Sequence, residues 1–241
     1  MSYMILNGIS SKTIPNLIIQ RLAPITKPKM RTQVEVVDGR DGDIITNLGY
    51  ESYEKDILIG LSWNYNIDQI IKYFCDNSIG RVTFSDEPDK YYNYQIIDEI
   101  NFDRLLRFRQ ATVKLHVQPF KYPVENNSQI FDITTQTSIN VTNTGNVYSR
   151  PTLKLTGSGN ISMSLNNSII FPSIGIGETT QTLTIDTNQM EAYIGTTLKN
   201  RSVIGDYMRF KINPGQNTIS WESILQGSLT KIVIENYIRW I

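Results

Sequence analysis

"VVDGRDGD", residues 36–43, sets two valines ahead of a run holding two glycines, three aspartates and one arginine. Its reading separates two fold classes. A phosphate or metal loop here would open onto a helix, whereas a polar turn would join two β-strands. A helix-loop-helix calcium site needs glycine at its sixth position and a bidentate glutamate at its twelfth. Counted from Asp38, those positions hold Asp43 and Gly49. A phosphate loop needs Lys and Ser/Thr after its glycines, and here Ile44, Ile45 and Thr46 follow. Both templates fail, so the stretch reads as an exposed turn between strands.

The segments around it carry the two-residue period of half-buried strands. "ILIGLSW" puts Ile57, Ile59, Leu61 and Trp63 on one face, and "ATVKLHV" does the same with Ala111, Val113, Leu115 and Val117. Further strands are expected at "LIIQRL", "QVEVV", "RVTFS" and "YNYQIIDEINF". One helix interrupts them. In "NIDQIIKYFCDN", Ile67, Ile70, Ile71 and Phe74 recur at helical spacing, and Asn66 with Gln69 suits a capping box.

Residues 1–125 hold fifteen Lys/Arg and sixteen Asp/Glu, against eight and seven in residues 126–241. The density changes at "PFKYPVENNSQ", residues 119–129, whose prolines and polar run suit a linker. The division expected is therefore 1–125 and 126–241. Beyond it the pattern is purely β. "TLKLTGSGNISMSL" reads as two strands joined by a turn at Gly157-Ser158-Gly159-Asn160, and Pro214-Gly215 in "MRFKINPGQNTISW" reads as a tight turn between strands. Short alternating strands separated by turn residues suggest a β-sandwich.

Composition closes off several functions. Twenty-three basic and twenty-three acidic residues cancel, which removes the global charge of a nucleic-acid or membrane-surface binder. No apolar run approaches the roughly 18 residues of a membrane helix, and the start lacks the basic, apolar pattern of a signal peptide. An unexported chain without membrane insertion is expected. The five Asn-x-Ser/Thr sequons, at Asn126, Asn140, Asn160, Asn166 and Asn200, then report only a chain rich in these residues. The single cysteine excludes an internal disulfide.

Candidate chemistry is sparse. Cys75 and His116 are the one nucleophile-base pair available, and one His with one Cys cannot close a zinc shell. A packed thiol and a surface imidazole is the plainer reading. Asp86, Glu87 and Asp89 flank Pro88 in "SDEPDK" as in a solvated turn, not as acids facing each other across a substrate. Arg104, Arg107 and Arg109 alternate with Leu105, Leu106 and Phe108 in a solvated or partner-facing hairpin end. Trp221, Trp240 and the tyrosines suit sandwich packing better than sugar stacking. No catalytic residue, metal site or cofactor is assigned, and no enzyme is expected.

The order of motifs carries a resemblance. "VDGRDG", the tyrosine-led strand "YESYEKDILI", the helix, "RVTFSDEPDKYYNYQIID" and "ATVKLHVQPFKY" together resemble the N-terminal domain of the distal tail protein (Dit) family of long, non-contractile-tailed bacteriophages. "NTGNVYSRPTLKLTGSGNISMSLNN", "LTIDT" and "PGQNTISW" are similar to that family's C-terminal domain. The resemblance implies a mainly β fold, with a tail-tube-like β-barrel or sandwich carrying one α-helix over 1–125 and a galectin-like β-sandwich over 126–241.

It also implies a function. The first domain would close a homohexameric ring at the distal end of the tail in the virion, after synthesis in the bacterial host cytoplasm. That hub would join the tail tube to the baseplate and host-adsorption apparatus. The partners implied are copies of the chain itself, the major tail tube protein, a tail-associated lysin or tail fibre hub protein and a receptor-binding protein. Genome DNA would pass through the ring without sequence-specific binding. Asp38, Gly39, Arg40, Asp41, Gly42 and Asp43 are then expected at contacts between subunits, where charge complementarity fixes register. The alternative is a carbohydrate-binding, lectin-like adhesion protein that touches host surface polysaccharide through its second domain.

Overall fold

The computed structural model describes residues 2–125 and 128–241. The Asn126 sequon and the residue that would open the second domain fall at 126–127, outside the described residues. The chain divides into two compact units, one reaching to Val124 and the other running Glu125–Trp240. Among the described residues, no helix is long and apolar enough to cross a membrane.

The first unit contains β1 (Met4–Leu6), β2 (Ile9–Ser10), β3 (Leu17–Arg21), β4 (Met30–Val36), β5 (Asp43–Tyr50), β6 (Tyr53–Leu61), α1 (Ile67–Asp76), β7 (Ile79–Phe84), β8 (Glu87–Gln95), α2 (Phe102–Phe108) and β9 (Gln110–Pro123). Seven strands form one antiparallel sheet in the order β2-β1-β7-β8-β9-β6-β3, and β4 pairs with β5 as a separate two-stranded sheet. The alternation in β9 is strict, with Ala111, Val113, Leu115 and Val117 all buried. Ile57, Ile59 and Leu61 of β6 face the same core. Trp63 does not. β6 ends at Leu61, Asn64 turns the chain at φ +60°, and Trp63 is left 81% exposed past the end of the strand.

α1 forms where the apolar spacing predicts, and Asn66 caps it by accepting from the Gln69 amide at 3.2 Å. The structure adds a second helix. In α2, Asn101 caps the Arg104 amide at 2.7 Å, Leu105 is fully buried, and Arg109 ends the turn at φ +58°. Seven residues are too few for a periodic stripe to stand out, so the segment reads as a hairpin end in sequence.

The second unit is built from β10 (Ser128–Asp132), β11 (Ser138–Asn143), β12 (Thr152–Leu165), β13 (Ser168–Asp186), β14 (Glu191–Ile194), β15 (Thr197–Leu198), β16 (Val203–Ile204) and β17 (Gly215–Glu235). All belong to one antiparallel sheet, which curls around a core that includes Val141, Leu155, Phe171, Ile185, Phe210 and Ile232. β12, β13 and β17 hold 14, 19 and 21 residues, and such lengths wrap a core only by bending.

That bending corrects the reading of Gly157–Asn160. There is no hairpin turn: β12 runs unbroken through these residues and pairs with β13 on one side and β17 on the other. The register slips at Gly157, Gly159 and Asn160, which marks bulges. A Cβ at Gly157 would collide with the Ser228 carbonyl, and Gly159 holds φ +71°. Glycine here serves close strand approach and curvature, two uses that share the sequence signature of a turn. The tight turn expected at Pro214-Gly215 is likewise not a junction of two strands: Tyr207–Arg209 form a 3-10 turn, and β17 begins at Gly215.

Candidate functional site

Residues 38–43 occupy the tip of the β4–β5 hairpin, as the turn reading requires. The Arg40 amide donates to the Val37 carbonyl at 3.1 Å, and Gly39 and Gly42 take φ +80° and +76°. These positive angles explain both glycines without any ligand. Asp38, Arg40, Asp41 and Asp43 are exposed, and among the described residues none joins an ion pair.

The strands behind the tip are more unusual than the tip itself. Val34 pairs with Ile45 and Val36 with Asp43, so Val34, Val36 and Ile45 share one face of the ribbon. They are 54%, 73% and 62% exposed. A two-stranded ribbon is marginal in water unless a surface covers it. The hairpin root is secured, because the Glu51 amide donates to the Lys29 carbonyl at 2.8 Å and Tyr50 meets Phe120 edge to face at 5.8 Å. The result is an anchored arm with an unpartnered apolar face.

A second exposed surface lies at the C-terminal end of α2. Phe108 is 73% exposed and lines a depression with Asn101, Asp103, Arg104 and Arg107. The adjoining Arg109 guanidinium lies 5.3 Å from the centre of the Trp63 ring and 4.8 Å from that of Tyr65. Strand alternation predicts Trp63 on the buried face with Ile57, Ile59 and Leu61, and the arginine spacing predicts only a solvated or partner-facing hairpin end. The early end of β6 and the left-handed Arg109 bring them together.

The "SDEPDK" segment also differs from a solvated turn. The turn covers only Ser85 and Asp86, and Glu87 already belongs to β8. Its Oε1 accepts from Lys121 Nζ at 2.8 Å, and its Oε2 accepts from the Tyr92 hydroxyl at 2.6 Å. Lys55 Nζ lies nearby, donating to the Pro24 carbonyl at 3.1 Å, with the Tyr92 ring 5.1 Å away. Burial pushes the Glu87 carboxyl up, but the hydrogen bonds from Lys121 and Tyr92 outweigh it and hold the group below the ordinary glutamate range. Burial lowers the Lys55 ammonium, opposed by the charges of Asp86 and Glu87. This network is inward-facing and satisfied, which suits a structural role.

Cys75 is exposed on α1, whereas His116 lies within β9 opposite Glu54 and Gln95 of the neighbouring strands, and no hydrogen bond joins the pair among the described residues. Trp221 is buried in the second core. A depression of the second unit, about 750 Å³, lies over the bulges, with Asn160, Glu178, Gln181, Lys199 and Gln226 on its wall and no aromatic ring among the described lining residues.

No protein-family model matches the chain, and no curated protein matches it by sequence. A solved structure does. The chain is similar to the Dit (gp 19.1) protein of phage SPP1, described as a paradigm of the hub adsorption apparatus in phages infecting Gram-positive hosts, with a TM-score of 0.72. The two share 16% sequence identity, and the likeness covers 100% of each chain. The chain therefore has the fold of a distal tail protein from end to end.

Proposed function

We propose that this chain is a distal tail protein: a non-enzymatic structural hub at the tip of a phage tail, joining the tail tube to the adsorption apparatus. The observation that carries the reading is the full-length structural likeness to the SPP1 hub protein, across both units and without a large insertion on either side. In this reading the first unit closes a hexameric ring, and the second, a galectin-like sandwich, projects toward receptor-binding components. The exposed apolar arm of β4–β5 supports it, because a ring subunit needs surface that only assembly covers.

The partners follow from the same reading: further copies of the chain, the tail tube protein, a tail-associated lysin or fibre hub, and a receptor-binding protein. A lectin-like role is less well supported. The depression over the β12–β13 bulges offers hydrogen-bonding groups, but sugar recognition by stacking needs a ring on its wall. Native mass spectrometry and negative-stain images of the purified chain test the proposal. A closed six-fold ring is expected, and a monomer at every concentration overturns it.

A further inference from the structure

We propose that the tip of the β4–β5 hairpin of one copy docks on the arginine-aromatic patch of a second copy, formed by Trp63, Arg104, Arg107, Phe108 and Arg109. The inference rests on the ring reading and supplies what that reading lacks, namely the two surfaces that meet.

The two surfaces are opposite in charge and alike in apolar character. Residues 35–43 contain four acids, Glu35, Asp38, Asp41 and Asp43, against the single Arg40. Beside them Val36 and Val37 are 73% and 40% exposed. The patch presents three arginines against one acid, Asp103, around two large exposed rings. Among the described residues no acid pairs with Arg104, Arg107 or Arg109. Trp63 and Phe108, 81% and 73% exposed, and the exposed Arg104 and Arg107 are of the residue types that dominate buried interface centres.

A second copy is favoured over an unrelated partner on grounds of symmetry. A ring needs a head-to-tail contact between two different surfaces of the same chain, so every copy must carry both. Here both lie in the first unit. The strands of β4–β5, seven and eight residues long, give the tip a reach of roughly 24 Å from its root, enough to cross to a neighbour. Charge complementarity also fixes the direction of the contact, because an acidic tip is repelled by another tip and drawn to the arginines.

Complementary charge reversal tests the contact on the full-length chain. One variant carries Asp41→Lys with Asp43→Lys, the other Arg104→Glu with Arg107→Glu, and Arg109 is left alone because it ends α2. Each variant alone should keep the wild-type thermal unfolding profile and need at least tenfold higher concentration to assemble, by sedimentation velocity. An equimolar mixture should recover the ring, since each unaltered surface meets its unaltered counterpart and each lysine tip meets a glutamate patch. Should a reversal fail to fold, Trp63→Gln with Phe108→Gln tests the same contact by the same loss of assembly.

Wild-type assembly by both variants overturns the docking while leaving the ring intact. A mixture no better assembled than its components overturns it too. A patch variant that assembles normally but loses retention of double-stranded DNA assigns the arginines to phosphate instead. A wild-type chain that never assembles removes the ring reading itself, and the docking with it.

Discussion

Lys121 Nζ sits 2.8 Å from Glu87 Oε1, with both side chains nearly excluded from solvent, at 7% and 12% exposure. β9 supplies the base and β8 the acid, so the pair ties two neighbouring strands of the first unit. Its removal is not symmetric. Lys121→Ala strands a buried carboxylate, which costs on the order of 3–5 kcal/mol. Glu87→Gln keeps an acceptor for the Tyr92 hydroxyl and should cost less. Denaturant unfolding of the two variants checks the order, and a Lys121→Ala change within about 0.5 kcal/mol would show that the pair adds nothing.

The same carboxylate sets a pH dependence. Glu87 titrates below its ordinary value near 4.5 in the folded chain. Between that folded value and 4.5 the unfolded chain binds more protons, so stability rises with pH. Its contribution is complete above the unfolded value and is lost as pH falls through the folded one. Melting curves of wild type and Glu87→Gln should therefore converge on acidification from pH 6 to pH 3. A constant gap would place the origin of the difference elsewhere.

Gly157→Ala should destabilise the second unit by about 1–3 kcal/mol, because the new methyl meets the Ser228 carbonyl across the close approach of β12 and β17. Gly195→Ala is the control. Nothing lies within 4 Å of its Cβ, so only its φ of +58° is strained. Equal losses at both positions, measured by thermal unfolding, would remove close approach as the reason for Gly157.

The apolar arm gives a test of assembly that is independent of charge. Val34→Thr with Ile45→Thr changes side chains already more than half exposed, so monomer stability should shift by no more than about 0.5 kcal/mol. Ring formation should weaken, because the face would lose the apolar contact that covers it. Sedimentation at several concentrations reads this directly, and unchanged assembly would mean that the face remains in water.

Each unit carries its own core, one including Phe74, Tyr92 and Leu115 and the other Phe171, Phe210 and Ile232. Expressed alone, residues 1–124 should unfold cooperatively in urea. A broad, non-cooperative transition would tie the first core to the second unit.

Much of the fold was legible because it rests on local rules. Alternation fixed the buried face of β9, helical spacing and Asn66 fixed α1, and paired glycines marked the tip at 36–43, each through interactions within a few residues. α2 is not legible because its seven residues, about two turns, carry too little period.

By itself the sequence determined a mainly β chain whose charge density falls in its second half, with a polar turn at 38–43. Tertiary structure alone decided that Glu87 turns inward to Lys121, thirty-four residues away, that Gly157 is a bulge against β17, and that Trp63 stands in solvent beside Arg109. The reason is physical: a side chain's period reports its neighbours along the strand, whereas burial, ion pairing and exposure depend on which distant strand lies beside it.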